Sequence, residues 1–218
     1  MHGSGNVIVE SREVAGFHEI ALKGSGTCLV AQGDAESLAV EAEDNLLPAI
    51  RTEVRDGRLT LDYERGPFGS IRPTRPIRFH VTVKALTALH LGGSGAIEMG
   101  SLATDRLEVS VGGSGDVTLG QLAAERLAVT IAGSGDVTIA GQVERQEVGI
   151  AGSGDYLADR LESGEAQVSV SGSGRARLHV TATLGVRIAG SGTVEYAGDP
   201  RVSQTRLGSG TVRRLVGA

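Results

Sequence analysis

The sequence predicts an all-β protein built as a right-handed parallel β-helix, a solenoid with coils of about 20 residues. Three observations predict this fold: a Gly-Ser-Gly triplet recurs, apolar and polar residues alternate on both sides of it, and the core is aliphatic. The 218 residues include 33 glycines but only three Phe, three Tyr and no Trp. Such a composition suits the narrow, layered interior of a solenoid.

The triplet recurs at a nearly constant interval. From Ser94 onward, successive serines are separated by 20, 20, 19, 20, 18 and 18 residues. A period near 20 without a 3.6-residue signal is typical of stacked β-coils. Glycine adopts positive φ and allows backbones to approach closely, so we predict that the triplets form the corners of the coils. The serines are Ser4, Ser25, Ser94, Ser114, Ser134, Ser153, Ser173, Ser191 and Ser209.

Alternation around the triplet predicts which side chains form the core. The positions two and four residues before its first glycine are apolar in each regular coil, and the position between them is mostly polar. Successive side chains of a strand face opposite sides, so the apolar columns point inward. A parallel crossover is almost always right-handed, which gives the predicted hand. The inward columns before the triplet are Leu91, Val111, Ile131, Ile150, Val170 and Ile188, and Leu89, Val109, Val129, Val148, Val168 and Val186.

We expect one domain with two parts, an N-terminal part of residues 1–88 and regular repeats over residues 89–218. Between Ser25 and Ser94 the repeat is interrupted by strand-like segments. Asp56-Gly57 between two of them predicts a hairpin, and three prolines, Pro67, Pro73 and Pro76, predict a loop. These segments are expected to form extra or broadened coils and a protruding hairpin that caps the solenoid.

Composition excludes several classes of function. A net charge of −5 argues against nucleic-acid binding, which depends on clustered Lys and Arg. Cys28 is the only cysteine, so neither a disulfide framework nor a zinc site is expected, and we predict a buried, inert thiol. The five histidines show no metal spacing, G-x-S-x-G is absent, and we expect no cofactor. No run reaches the ~20 apolar residues of a transmembrane helix.

The residue directly after the triplet is the best candidate for chemistry. In three consecutive coils it is an aspartate, Asp116, Asp136 and Asp155, so the carboxylates are expected to stack. Calcium is one interpretation, although known calcium repeats have another spacing. Cleavage of polysaccharides by carboxyl pairs is another, although it usually needs aromatic platforms that this column lacks. We favour a structural role for these aspartates over both calcium binding and polysaccharide cleavage.

Longer stretches of the sequence resemble a known family. "GSGNVIVESREVAGFHEIALKGSG", "EAEDNLLPAIRTEVRDGRLTL" and the later GSGDV turns are similar to the head GIN domain family, described as auto-transporter adhesins. The resemblance covers essentially the whole chain, and "DNLLPAIRTEVRDGRL" is its most specific part. It implies a bacterial, exported, β-helical protein of the cell surface or periplasm, without assigned catalytic residues. No signal-peptide pattern follows Met1, so the sequence also leaves a cytosolic protein open.

The function predicted from these observations is non-enzymatic. We expect a surface or envelope protein whose long faces bind a glycan, a protein or another copy. The alternative is a structural scaffold that polymerises end to end through its open solenoid edges.

Overall fold

The chain winds into a parallel β-solenoid of about six turns, each about 20 residues long, and 73% of it is strand. A computed structural model describes residues 1–64 and 71–215. The strands form one continuous 16-stranded sheet. Within these two ranges, the only helical element is a 3-10 turn, Leu47–Ala49. The predicted solenoid fold is therefore confirmed.

Seven short strands form the N-terminal part of the sheet. They are β1 (Val7–Arg12), β2 (Glu19–Gly24), β3 (Thr27–Gln32), β4 (Ser37–Glu43), β5 (Ile50–Arg55), β6 (Arg58–Tyr63) and β7 (Arg78–Val83). Strand β4 pairs antiparallel with both β1 and β7, and β5 pairs antiparallel with β6. The regular coils that follow are entirely parallel.

The regular coils begin with β8 (Ala88–Gly93) and contain one long strand each. These strands are β9 (Ala96–Gly113), β10 (Asp116–Gly133), β11 (Val137–Gly152), β12 (Asp155–Gly172) and β13 (Arg175–Gly190). The last turn is divided into β14 (Thr193–Ala197), β15 (Arg201–Leu207) and β16 (Thr211–Arg214). Each long strand spans a bend of its coil, where the pairing with the next coil shifts register, for example between Leu119 and Leu122.

The coil that contains Ser25 stacks directly on the coil that contains Ser94, although the repeat is interrupted between them in the sequence. Strand β2 pairs in parallel with β8, which places Gly24 opposite Gly93, and β3 pairs with β9. The inserted strands therefore do not lie between these two coils. They extend the sheet beyond the first coil, because β7 stacks on the other side of β3 and β6 on the other side of β2.

Two expectations for the N-terminal part were wrong. The Asp56-Gly57 turn does join a hairpin, but the hairpin does not protrude: β6 pairs with β2, and Leu59 and Leu61 are fully buried. Ser4 does not join the column of corner serines, because the strand register places Val9 level with Thr27, and Ser4 is therefore too far from β1 to align with Ser25. The predicted loop lies partly outside the described residues, Pro67 included.

Glu43 fastens the N-terminal segment to the loop before β7. Its side chain is buried and accepts hydrogen bonds from the backbone N–H of Gly5 (2.6 Å), from the N–H of Thr74 (2.8 Å) and from the Thr74 hydroxyl. These donors, the Thr74 hydroxyl foremost, lower the pKa of Glu43 to about 2. A buried carboxylate is tolerated because each donor replaces a lost water.

The interior is a stack of aliphatic rows, as predicted. All residues of the two inward columns are at most 3% exposed. Since burying one Val, Leu or Ile side chain contributes ~1.5–3 kcal/mol, stacking such rows stabilises the coils jointly.

One polar cluster interrupts the aliphatic interior. The Tyr156 hydroxyl donates to Gln146 Oε1 at 2.8 Å, the Gln146 amide donates to Ser163 Oγ at 2.7 Å, and Ser163 donates to the His179 carbonyl at 3.0 Å. All of these side chains are buried. The cluster is complete, so burial of its polar atoms costs little.

The triplets turn the corners of the coils. Gly93 has φ +130°, and its carbonyl accepts the backbone N–H of Ser114 in the next coil at 2.9 Å. A Cβ on Gly93 would lie 2.5 Å from the Gly24 carbonyl oxygen. The serine side chains of the regular coils face solvent, so the backbone and not the hydroxyls forms this ladder.

Candidate functional site

The three predicted aspartates stack along one corner and bind backbone. Asp116 Oδ1 accepts the N–H of Asp136 at 3.1 Å, Asp136 Oδ1 accepts the N–H of Asp155 at 2.9 Å, and Asp155 Oδ1 accepts the N–H of Arg175 at 3.2 Å. The Arg175 guanidinium lies 3.6 Å from Asp155 Oδ2. The amides and this arginine offset the repulsion between neighbouring carboxylates.

This arrangement gives the aspartates a structural use. One oxygen of each carboxylate already accepts a backbone N–H of the next coil. Among residues 1–64 and 71–215, no group of three or more His, Cys, Asp or Glu side chains is placed to hold a metal ion.

Local structure accounts for Cys28 and His80 among the other titratable residues. Cys28 is fully buried, which raises the pKa of its thiol to about 12 and leaves it unreactive near neutral pH. His80 hydrogen-bonds Glu41 at 3.0 Å, and this bond, together with Arg78, lowers the pKa of that carboxyl. His90 is half-buried on β8, with its Nε2 3.7 Å from Glu19 and without a hydrogen-bond partner among the described residues.

A ladder of arginines on the body of the solenoid was not predicted from the sequence. Arg106, Arg126 and Arg145 are direct neighbours in three consecutive coils, and Glu165 occupies the same column in the fourth. Arg145 pairs with Glu165 at 3.2 Å. Within the described chain, Arg106 and Arg126 make neither an ion pair nor a side-chain hydrogen bond. Two unpaired guanidinium groups one rung apart repel each other and favour an anion between them.

Three shallow depressions adjoin this ladder. The first, of about 340 Å³, is lined by all three arginines together with Ala128 and Gln167. A second of about 530 Å³ shares Arg145 and Glu165 with it, and a third of about 200 Å³ shares Ala128, Glu147 and Gln167. Because neighbouring depressions share lining residues, we name the three together the arginine groove.

Small side chains explain why the surface is concave here. Ala128 occupies a column whose neighbours are Glu108 and Glu147, and Gly149 occupies the column of Thr130 and Ser169. The short side chains leave gaps in otherwise full rows. The signal for this site was present in the sequence, because aligning the coils also aligns the three arginines.

No described segment forms a helix that is long and apolar enough to span a membrane.

Comparison with known proteins gives both a family and a fold. Residues 16–200 match the family model described as "Putative auto-transporter adhesin, head GIN domain". No curated protein matches the sequence.

Several crystal structures have the same fold. A "putative adhesin" from Bacteroides fragilis is 24% identical with a TM-score of 0.93, covering 99% of this chain and 100% of that chain. A "putative lipid binding protein" from Parabacteroides distasonis is 26% identical with a TM-score of 0.83, covering 99% of each chain. A "putative adhesin" from Parabacteroides distasonis is 25% identical with a TM-score of 0.79, covering 98% and 99%.

Proposed function

The chain belongs to the head GIN domain family of auto-transporter adhesins, and on that premise we propose that it is an exported, non-enzymatic binding module. Its ligand is a glycan that carries separate acidic groups, and the arginine groove is where that ligand binds. The observation that carries this proposal is that Arg106 and Arg126 are neighbours in consecutive coils, have no ion-pair partner among the described residues and line a concave surface.

The chemistry of the groove favours a ligand with single carboxylates over a ligand with more highly charged anionic groups. A guanidinium forms two parallel hydrogen bonds to one carboxylate, and this geometry is specific at short range. Acidic side chains flank the ladder, among them Glu108 and Glu147. They repel a densely charged polyanion, whereas isolated carboxylates on a neutral chain fit between them. The glutamates and Gln167 accept hydrogen bonds from sugar hydroxyls.

The state of the aspartates supports a role without catalysis. Each carboxylate of Asp116, Asp136 and Asp155 accepts a backbone N–H, and general acid–base work would compete with those bonds. The stacked register supports binding of an extended ligand, since the outward columns repeat at ~4.8 Å along the axis.

Export to the cell surface or periplasm is part of the proposal and is supported by family membership. Digestion of intact native cells by an added protease tests it. The protein is expected to be cut while a cytosolic marker is still protected, either in intact cells or after permeabilisation of the outer membrane alone. Protection until the inner membrane is lysed would contradict export.

Binding to an immobilised panel of sialylated oligosaccharides, oligosaccharides that alternate uronate with neutral sugars, fully charged oligogalacturonate and neutral oligosaccharides tests the ligand class. We expect retention of at least one member with separate carboxylates, weaker retention of oligogalacturonate and no retention of a neutral member. The double variant Arg106→Gln/Arg126→Gln is expected to bind at least ~10-fold more weakly, because it loses charge-assisted hydrogen bonds to the ligand. The variant Arg201→Gln/Arg206→Gln, with the same charge change elsewhere, is the matched control.

Three results would count against the proposal. These are equal retention of neutral and acidic members, equal loss in both double variants, and release of new reducing ends by the wild type. Turnover that disappears in Asp136→Asn would establish an enzyme instead. Binding of phospholipid vesicles in place of glycans would favour the lipid-binding description of one Parabacteroides relative.

A further inference from the structure

Charge is unevenly distributed along the solenoid. Residues 172–218 contain seven arginines, no lysine and two carboxylates, a net charge of +5, whereas residues 1–171 contain 14 basic and 24 acidic residues, a net charge of −10. The last two turns, which contain β13 to β16, therefore form a basic end on an acidic body. Such an end attracts an acidic partner.

Both carboxylates of this basic end already form ion pairs with arginines of the same end. Glu195 is 1% exposed and lies between Arg177, at 2.6 Å, and Arg213. Asp199 pairs with Arg214 at 3.0 Å. The pair on β15, Arg201 and Arg206, makes no ion pair and no side-chain hydrogen bond within the described chain. These two guanidinium groups are free to bind a ligand.

The same strand offers unpaired backbone groups. Strand β15 pairs with β13 along one edge, and in the described part of the chain no strand pairs with its other edge. All seven of its residues are exposed, including Val202 at 37% and Leu207 at 71%. An open edge binds an extended polypeptide through main-chain hydrogen bonds, and side chains select its sequence.

We propose that the C-terminal end binds an extended acidic polypeptide segment, which adds as a strand to the free edge of β15. Arg201 and Arg206 pair with carboxylates of that segment, and Val202 and Leu207 contact apolar side chains. Arg206 lies opposite Ile188, an inward position, and Arg201 lies opposite Thr183, so the two arginines sit on opposite faces of the strand. The partner therefore carries acidic residues on both of its faces.

A second copy of this chain fits the edge less well. Following the pairing through the sheet, β5 occupies the column of β15 at the other end of the solenoid, and β1 occupies that of β16. The carboxylates there are already paired, Glu53 with Arg55 at 3.8 Å and Glu10 with Arg12 at 2.9 Å. Head-to-tail stacking would place basic strands against these edges, and the arginines thus discriminate against self-association.

A synthetic peptide tests this inference on the whole protein. The probe is the fluorescein-labelled heptapeptide Glu-Val-Thr-Thr-Thr-Glu-Val, and binding is measured by fluorescence anisotropy. We expect the same peptide with Gln in place of Glu to bind at least ~10-fold more weakly, because it lacks both charges. N-methylation of alternate peptide nitrogens is expected to weaken binding by a similar factor, since it blocks strand pairing.

Variants locate the site. Arg201→Gln/Arg206→Gln is expected to lose ~10-fold in peptide affinity, whereas Arg106→Gln/Arg126→Gln stays within ~2-fold, because charge effects act locally at physiological salt. All four residues are exposed, and circular dichroism checks that the fold is kept. In the glycan experiment Arg106→Gln/Arg126→Gln is the test variant and Arg201→Gln/Arg206→Gln is the control, and in the peptide experiment these roles are reversed. Failure of one proposal is therefore distinguishable from failure of the other.

Four results would overturn the inference. These are no peptide binding at millimolar concentration, equal binding of the N-methylated peptide, equal loss in both double variants, and concentration-dependent polymers that the peptide does not dissolve. If phosphatidylglycerol vesicles bind through Arg201 and Arg206 and the peptide does not, the partner is a membrane surface and not a polypeptide strand.

Discussion

The carboxylate of Asp136 accepts the backbone N–H of Asp155, one coil further along the chain, at 2.9 Å. This hydrogen bond and the equivalent ones on either side join consecutive coils at the corner. They turn a column of like charges into a connection between coils.

Replacement of this carboxylate separates its charge from its role as an acceptor. We expect Asp136→Ala to lower the free energy of unfolding by ~1–2 kcal/mol, because the Asp155 N–H loses its partner. Asp136→Asn keeps an acceptor oxygen and removes a repulsive charge, so its change is expected within ~0.5 kcal/mol. Urea titrations followed by circular dichroism measure both. If Asp136→Asn lowers the free energy of unfolding as much as Asp136→Ala, or if added calcium stabilises only the wild type, Asp136 contributes to stability through its charge and not through this hydrogen bond.

The corner glycines are required by backbone geometry. Gly93→Ala introduces a Cβ 2.5 Å from the Gly24 carbonyl oxygen at φ +130°. We expect a loss of more than ~2 kcal/mol in the free energy of unfolding, from backbone strain and overpacking together. Gly100→Ala is the control, because nothing lies within 4 Å of its added Cβ. Similar midpoints for the two variants in urea would show that the corner tolerates a side chain.

Gly93 also illustrates what could be predicted from the sequence. Alignment of the triplets is enough to identify the corner and the inward rows, because both repeat with each coil. The stacking of Gly93 on Gly24 could not be predicted in this way, since it depends on the inserted strands β4–β7 lying beyond β2 and β3 and not between these strands and the next coil. The burial of Gln146 could not be predicted for a related reason. Gln146 occupies the position that Leu127 has in the preceding coil, and its burial is explained by the hydrogen bond from Tyr156, which lies in a different row.

The candidate site was predicted less completely. The stacking of the aspartates follows from the repeat, but their backbone partners depend on side-chain conformations that no sequence pattern records. The unpaired state of Arg126 and of Arg206 likewise depends on which carboxylates come within reach after folding.

The buried polar cluster should be sensitive to loss of a single hydroxyl. Tyr156→Phe leaves Gln146 Oε1 buried without its donor, which is expected to cost ~1–3 kcal/mol in the free energy of unfolding. Combining Tyr156→Phe with Gln146→Leu removes both partners and is expected to recover part of that loss. Tyr196→Phe, at a half-buried position in the last turn, is the control. Strictly additive losses in the double variant would contradict a coupled cluster.

Glu43 makes the attachment of the N-terminal segment dependent on pH. Its pKa of about 2 in the folded protein lies below the ordinary value of 4.5, so its ionised form stabilises the fold above pH 4.5. That contribution is lost as the pH falls from 4.5 toward about 2. We expect the difference in Tm between wild type and Glu43→Gln to be largest near neutral pH and to shrink across this window. Glu144→Gln, which removes an exposed carboxylate, should show no such trend, and a constant difference for Glu43→Gln would contradict the assignment.

Distances along the serine column test the stacking of the coils most directly. Spin labels on cysteines replacing Ser94 and Ser191 are five coils apart, and labels replacing Ser25 and Ser191 are six coils apart. At ~4.8 Å per coil, the backbone separations are ~24 Å and ~29 Å. Dipolar electron paramagnetic resonance is expected to show that the second pair is longer by about one coil spacing. An increase of two or more coil spacings would place the inserted strands between these coils and contradict the account.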